Sequence, residues 1–185
     1  VELMLVRHAR PAIAPGWCYG QLDVDLAAGA LASLPALATE LRAWRPDLVI
    51  SSPLQRCRRL AGQLDVSVHY EPALMEMSFG AWEGRRWDSM APSEYGPWAA
   101  DWINQAPPGG ESLAQLADRV QTCVSALCHN ENSARRLLLV VHAGVIRVLL
   151  CRLLDLPLAS SLRFEIVCGG CCLLRHRQGW QLVCE

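Results

Sequence analysis

The order of apolar and polar positions along the chain predicts alternating strands and helices. Short, almost wholly apolar runs at "ELMLV", "DLVIS" and "RLLLVVH" read as strands buried on both faces, and "VSVHY" as a shorter strand. Helical spacing follows from about residue 28 to 44, from Pro53 to about Leu64, from about Ser112 to residue 129 and from about Gly144 to Leu154. In "ISSPLQRC", Pro53 suits a first helical turn and Ser52 can cap it, so strand, turn and helix start in succession. The tail, "LRFEIVC", "CCLLRHR" and "WQLVC", reads as hairpin strands. Between Glu71 and Pro108 the pattern is irregular, with four of the seven tryptophans and short helices expected around "GRRWDSM" and "SEYGPWAADWINQ". The expectation is a single α/β domain over residues 1–185, a three-layer α/β/α fold with a mainly parallel sheet and antiparallel additions, capped by an excursion at about 71–108.

Composition narrows the function classes. With 52% hydrophobic and 19% charged residues, 185 residues suffice for one sizeable core. A net charge of -1 gives no electrostatic case for nucleic acid or an anionic membrane, so the expected partner is a small molecule. The apolar runs are too short for a membrane span, and without a secretory leader the expected location is cytoplasmic. Nine cysteines read as reduced thiols, and "CGGCC", lacking a second pair, as strand cysteines around a turn.

Two apolar strands end on histidine: "LVRHARP" at Arg7-His8, and "LLLVVHAGVIR" at His142. In an open α/β sheet both reach the carboxyl edge, where ligands bind, and Arg56, just after the second strand, joins them. Arginine forks beside helix N–H groups make a pocket for a phosphate dianion. A neutral imidazole can take a phosphoryl group, and the other histidine, if protonated, would help the arginines stabilise charge during transfer. A leaving alkoxide needs a proton; Glu76 in "ALMEMSFGAWEG" is the candidate donor, its pKa raised by an apolar setting, with Glu83 as rival. His69, His129 and His176 read as structural or exposed. There is no "HExxH", Walker loop or acidic cluster, so neither metal nor other cofactor is expected.

At these residues the chain resembles the histidine phosphatase, or phosphoglycerate mutase-like, superfamily. "LVRHARP", "SSPLQRCRRLA", "LMEMSFGAWEG", "PPGGESL" and "VVHAGVIR" match its blocks in order over nearly the whole chain. The resemblance implies His8 as the phosphorylated nucleophile, Arg7, Arg56 and His142 as the phosphate clamp, and Glu76 as the proton donor. It departs from the pattern at Ala9-Arg10, where relatives have glycine and an acidic residue. Within the superfamily, "PGWCYGQLDVDL" with "SSPLQRC" is similar to the α-ribazole phosphatases, which remove the 5′-phosphate from a benzimidazole nucleotide or its cobamide form. Arg10, Trp17, Tyr19, Gly20, Gln21, Trp82 and Ala143 are the expected substrate contacts, the aromatic ones offering faces to a flat heterocycle. The alternatives are a broad-specificity sugar or nucleotide phosphatase, a mutase, for which only Arg85-Arg86 could serve a second phosphate, and a phosphate-binding pseudoenzyme.

Overall fold

A computed structural model describes residues 1–129 and 135–183. Among them, six strands form one sheet: β1 (Glu2–Arg7), β2 (Leu48–Ser51), β3 (Val68–Tyr70), β4 (Arg136–Val141), β5 (Cys171–His176) and β6 (Trp180–Val183), in the order β3-β2-β4-β1-β5-β6. The first four neighbours are parallel, whereas β5 and β6 add antiparallel at the β1 edge. The fold is phosphoglycerate mutase-like, with helices on both faces of a mostly parallel sheet.

Pleating explains both layers. In β4, Leu137, Leu139 and Val141 enter one apolar cluster, while Leu138 and Val140 enter the other. The first cluster is completed by α5 (Leu113–His129) and α6 (Ala143–Leu153). The second is completed by α2 (Leu34–Ala43) and α3 (Gln55–Ala61), preceded by the single turn α1 (Ala28–Leu31). Because both faces are covered, the central strands are continuous apolar runs with no polar alternation.

Three elements depart from the sequence expectation. The helix expected from residue 28 to 44 is broken at Ala32 and Ser33: Pro35 has no N–H to bond back to the preceding turn, so α1 stops and α2 restarts with Pro35 in its first turn. The helix expected from Pro53 begins at Gln55, so the Ser52 hydroxyl, which accepts the Leu54 N–H at 3.4 Å, lies ahead of its cap position. Asp23, from a distant loop, accepts the Gln55 N–H at 2.7 Å instead. Finally, "LRFEIVC" is not a strand. Residues Leu158–Arg163 form a 3-10 turn, and the Phe164 and Ile166 carbonyls that follow accept from Arg147 and Arg7 instead of from a neighbouring strand.

Within the excursion, short 3-10 turns at Gly80–Trp82 and Trp87–Ser89 lead to α4 (Pro92–Ala100). A small separate cluster of Cys18, Trp82 and Met90, packed by Phe79, Trp87 and Trp98, holds it over the carboxyl edge of the sheet. Trp87 and Trp98 stack with ring centroids 6.0 Å apart.

Candidate active site

Insertion of β4 between β1 and β2 makes the ends of three strands neighbours. The His8 N–H donates to the Val141 carbonyl at 3.0 Å and the Ser52 N–H to the Val140 carbonyl at 3.0 Å. His8, Ser52 and His142 therefore emerge side by side, and the two imidazole centroids lie 5.1 Å apart.

His8 is 2% exposed, and its Nδ1 lies 2.7 Å from the Ala9 carbonyl. A carbonyl can only accept, so Nδ1 carries the hydrogen and Nε2 keeps its lone pair. Burial pushes the pKa down to about 3; the Ala9 hydrogen bond opposes this, while Arg56 and Arg7 lower it further. The imidazole is neutral at any pH near 7.

His142 is wholly buried. Its Nδ1 accepts from Arg56 Nε at 3.2 Å, which leaves Nε2 to donate to Ser52 Oγ at 2.8 Å. Burial, then the neighbouring Arg56 charge, hold its pKa well below the usual histidine range. The expectation of a protonated second histidine is thus overturned, since a proton on Nδ1 would face a guanidinium N–H in a dry interior. Ser52, expected as a helix cap, instead supports this ring, and the Cys57 thiol packs against it with Sγ 3.5 Å from Nε2.

Arg56 is also fully buried. Beyond its bond to His142, Nη1 donates to the Leu22 carbonyl at 2.9 Å and Nη2 to the Gly20 carbonyl at 2.6 Å. Tyr19 lies under the guanidinium with its ring centroid 5.3 Å away. Of five donors two remain, and among the described residues no carboxylate pairs with it. Arg7 is likewise without a carboxylate: Nη1 donates to the Ile166 carbonyl at 2.6 Å, and its buried Nε has no partner. Two guanidinium groups without a carboxylate partner make a site suited to an anion.

Glu76 stands across from them. The Met77 N–H donates to Oε1 at 2.9 Å and the Gly144 N–H to Oε2 at 3.0 Å, which fixes the carboxyl plane. Gly144 is required for this approach, because a Cβ there would lie 2.2 Å from Oε1. Glu83, the rival, is occupied otherwise: its Oε1 accepts from the Gln21 and Phe79 N–H groups at 2.9 and 2.8 Å and ties two loops together. It is absent from the cavity wall that Glu76 lines.

That cavity, about 290 Å³, is bounded by Arg7, Glu76, Ala143 and Arg147 and by the rings of Trp17, Tyr19, Phe79, Trp87, Trp98 and Trp102. Among the expected substrate contacts, Trp17, Tyr19, Gly20 and Ala143 line it. Gly20 is there for lack of space, since a Cβ would fall 2.3 Å from the Met77 carbonyl. Gln21 does not line the cavity; its side chain donates to the Glu76 carbonyl at 3.0 Å and steadies that residue from behind. Trp82 is corrected outright: it is 1% exposed and packs into the cap's own core, away from the cavity. Arg10 is exposed and does not line this cavity.

Sequence reading missed Phe79, Trp87, Trp98 and Trp102, whose convergence depends on the folding of the excursion. It also missed Arg119, which donates to the Ala73 and Met75 carbonyls at 2.8 and 3.1 Å while paired with Glu111, and so frames the Glu76 segment. Arg147 carried a signal: it follows Ala143 by four residues, hence shares its helix face.

Neutral imidazole, counter-ion-free arginines and a pinned carboxyl on the carboxyl edge of such a sheet define a class, and residues 3–184 match the family described as histidine phosphatase superfamily (branch 1); the chain belongs to it. It is 33% identical over 177 residues to an adenosylcobalamin/alpha-ribazole phosphatase of Salmonella typhimurium, covering 91% of this chain and 87% of that one. It is 31% identical over 174 residues to a glucosyl-3-phosphoglycerate phosphatase of Mycobacterium tuberculosis, covering 86% and 78%. Among solved structures, that of the alpha-ribazole phosphatase from Shigella flexneri is similar with a TM-score of 0.90 and 28% identity, covering 99% of this chain and 95% of that one. Among the described residues no helix is long and apolar enough to cross a membrane.

Proposed function

We propose that the chain is a phosphomonoesterase that works through a phosphohistidine on His8, with α-ribazole 5′-phosphate or adenosylcobalamin 5′-phosphate as substrate. The observation that carries the reading is a neutral, buried His8 with a free Nε2, set among two arginines that have no carboxylate partner. In the first half-reaction the phosphate dianion sits between Arg7 and Arg56. The Nε2 lone pair forms the N–P bond as the P–O bond to the alcohol breaks, and the charge on the equatorial oxygens is met by guanidinium groups already in place. His142 and Ser52 serve this step by orienting Arg56.

Glu76 gives its proton to the departing oxygen. As a carboxylate it then takes a proton from water, which attacks phosphorus and breaks the N–P bond, so phosphate leaves and both residues return to their starting states. The named relatives and the aromatic walls support a flat heterocyclic alcohol as leaving group. Brief incubation with labelled α-ribazole 5′-phosphate and an alkaline quench should leave acid-labile label on the protein. Full labelling of His8→Ala would refute the nucleophile. Equal kcat/KM for α-ribazole phosphate and glycerol phosphate would refute the substrate.

A further inference from the structure

The aromatic cavity contains polar groups that phosphate transfer does not use. Ser161, in the 3-10 turn against α6, is 1% exposed, lines the cavity, and its hydroxyl has no hydrogen-bond partner. The indole N–H of Trp98, on the wall, is also buried without one. Arg147 donates through Nε to the Phe164 carbonyl at 3.1 Å, which fixes the guanidinium while its terminal nitrogens have no partner among the described residues. A buried donor without a partner is costly, and two occur here on one apolar surface, beside the half-buried Arg147 guanidinium.

Their place relative to the phosphate is set by one segment of backbone. Arg7 holds the Ile166 carbonyl and Arg147 the Phe164 carbonyl. In extended chain, carbonyls two residues apart are separated by roughly 7 Å. Arg7 and Arg147 are thus anchored on one short segment and line the same cavity as the aromatic rings.

We propose that Arg147, Ser161 and the Trp98 indole N–H form a distal subsite that reads a hydrogen-bond acceptor on the leaving group. The inference rests on the phosphomonoesterase reading and deepens it: the preferred substrate is a phosphate ester of a flat alcohol carrying an acceptor at its far end, such as the unsubstituted ring nitrogen of a benzimidazole nucleotide. A ring of the same shape with C–H in that place would leave the three donors desolvated and unpaired, the situation in which sites built for hydrogen bonding discriminate most strongly.

The test uses isosteric pairs, so that shape cancels: quinolin-6-yl against 2-naphthyl phosphate, and α-ribazole 5′-phosphate against its analogue with C–H replacing the free ring nitrogen. The ratio of kcat/KM within each pair should be about 10 or more in the wild type and fall towards one in both Arg147→Met and Ser161→Ala. A wild-type ratio of one in both pairs, or ratios unchanged in both variants, overturns the subsite. Ser161→Ala removes one oxygen without disturbing the Phe164 bond, so the test survives a misfolded Arg147 variant. Dissociation constants of the same esters on His8→Ala protein separate the two claims: a ring-nitrogen preference there stands even if no phosphohistidine forms, and its absence overturns the subsite even if hydrolysis is robust.

Discussion

Gly144→Ala should separate catalysis from stability. The added methyl carbon would fall 2.2 Å from Glu76 Oε1 and 3.1 Å from its Cδ, so the carboxyl must swing away and surrender the Gly144 N–H bond. Losing that charge-assisted bond costs about 1.5–3 kcal/mol, whereas alanine in place of glycine near the start of α6 returns up to about 1 kcal/mol in helix propensity. The difference leaves stability within about 3 kcal/mol of the parent, a fall in Tm of no more than about 12 °C for a chain this size. The proton donor, however, is displaced by more than a hydrogen bond tolerates. Hydrolysis of an alkyl phosphate should therefore fall by roughly 10²–10⁴, the usual contribution of general acid catalysis. The assay is kcat/KM on glycerol phosphate beside thermal melting of the same preparation. An alanine variant that melts like the parent and keeps parental activity would refute the claim that the Gly144 contact fixes the Glu76 carboxyl for its task.

Glu76→Gln should depress alkyl phosphate hydrolysis far more than that of nitrophenyl phosphate, whose leaving group needs little protonation; equal losses would assign Glu76 to positioning or to dephosphorylation alone. Stability should fall as pH falls, because His8 and His142 are held neutral when folded but take a proton below about 6.5 when unfolded, so the unfolded chain binds more protons throughout that window. From pH 7 to 5 the loss from His8 is about 2 kcal/mol, with His142 adding in the same direction, read as a shift in denaturant midpoint, and His8→Gln should remove the His8 part; a flat profile in the wild type would contradict the buried neutral pair. Trp17→Ala should raise KM for α-ribazole phosphate while sparing glycerol phosphate, whereas Trp82→Ala should cost stability, about 3–5 kcal/mol for a buried aromatic, with no such substrate contrast. The opposite assignment of the two tryptophans would invalidate the cavity wall described above. Activity should survive EDTA, since the charge facing phosphate comes from Arg7 and Arg56; loss that magnesium restores would point to another mechanism.

Much of this protein is determined locally and was legible in the sequence. Apolar runs such as "LMLV" and "RLLLVV", short and bounded by polar residues, read as strands covered on both faces, which implies the three layers, and a strand that ends on Arg7-His8 or His142 delivers those side chains to the carboxyl edge. Gly20 and Gly144 stand where the chains meet too closely for a Cβ, but only the folded structure shows what each would strike. Other properties belong to pairs of distant segments and have no local trace. The neutrality of His142 depends on its burial and on Arg56 arriving from α3, and the choice of Glu76 over Glu83 depends on which carboxylate lines the cavity. Trp17 and Trp82 are chemically alike in sequence, yet one lines the cavity and the other is buried in the cap's core, because irregular segments have no period from which to tell an inner face from an outer one. The strand expected at "LRFEIVC" failed for a related reason: its alternation was acceptable, but its Phe164 and Ile166 carbonyls are taken by the distant side chains of Arg147 and Arg7 and not by a neighbouring strand. Periodicity reports which side of an element is apolar; the partner that covers that side, and hence the charge, tautomer and exposure of each group in the site, is decided only when the chain closes on itself.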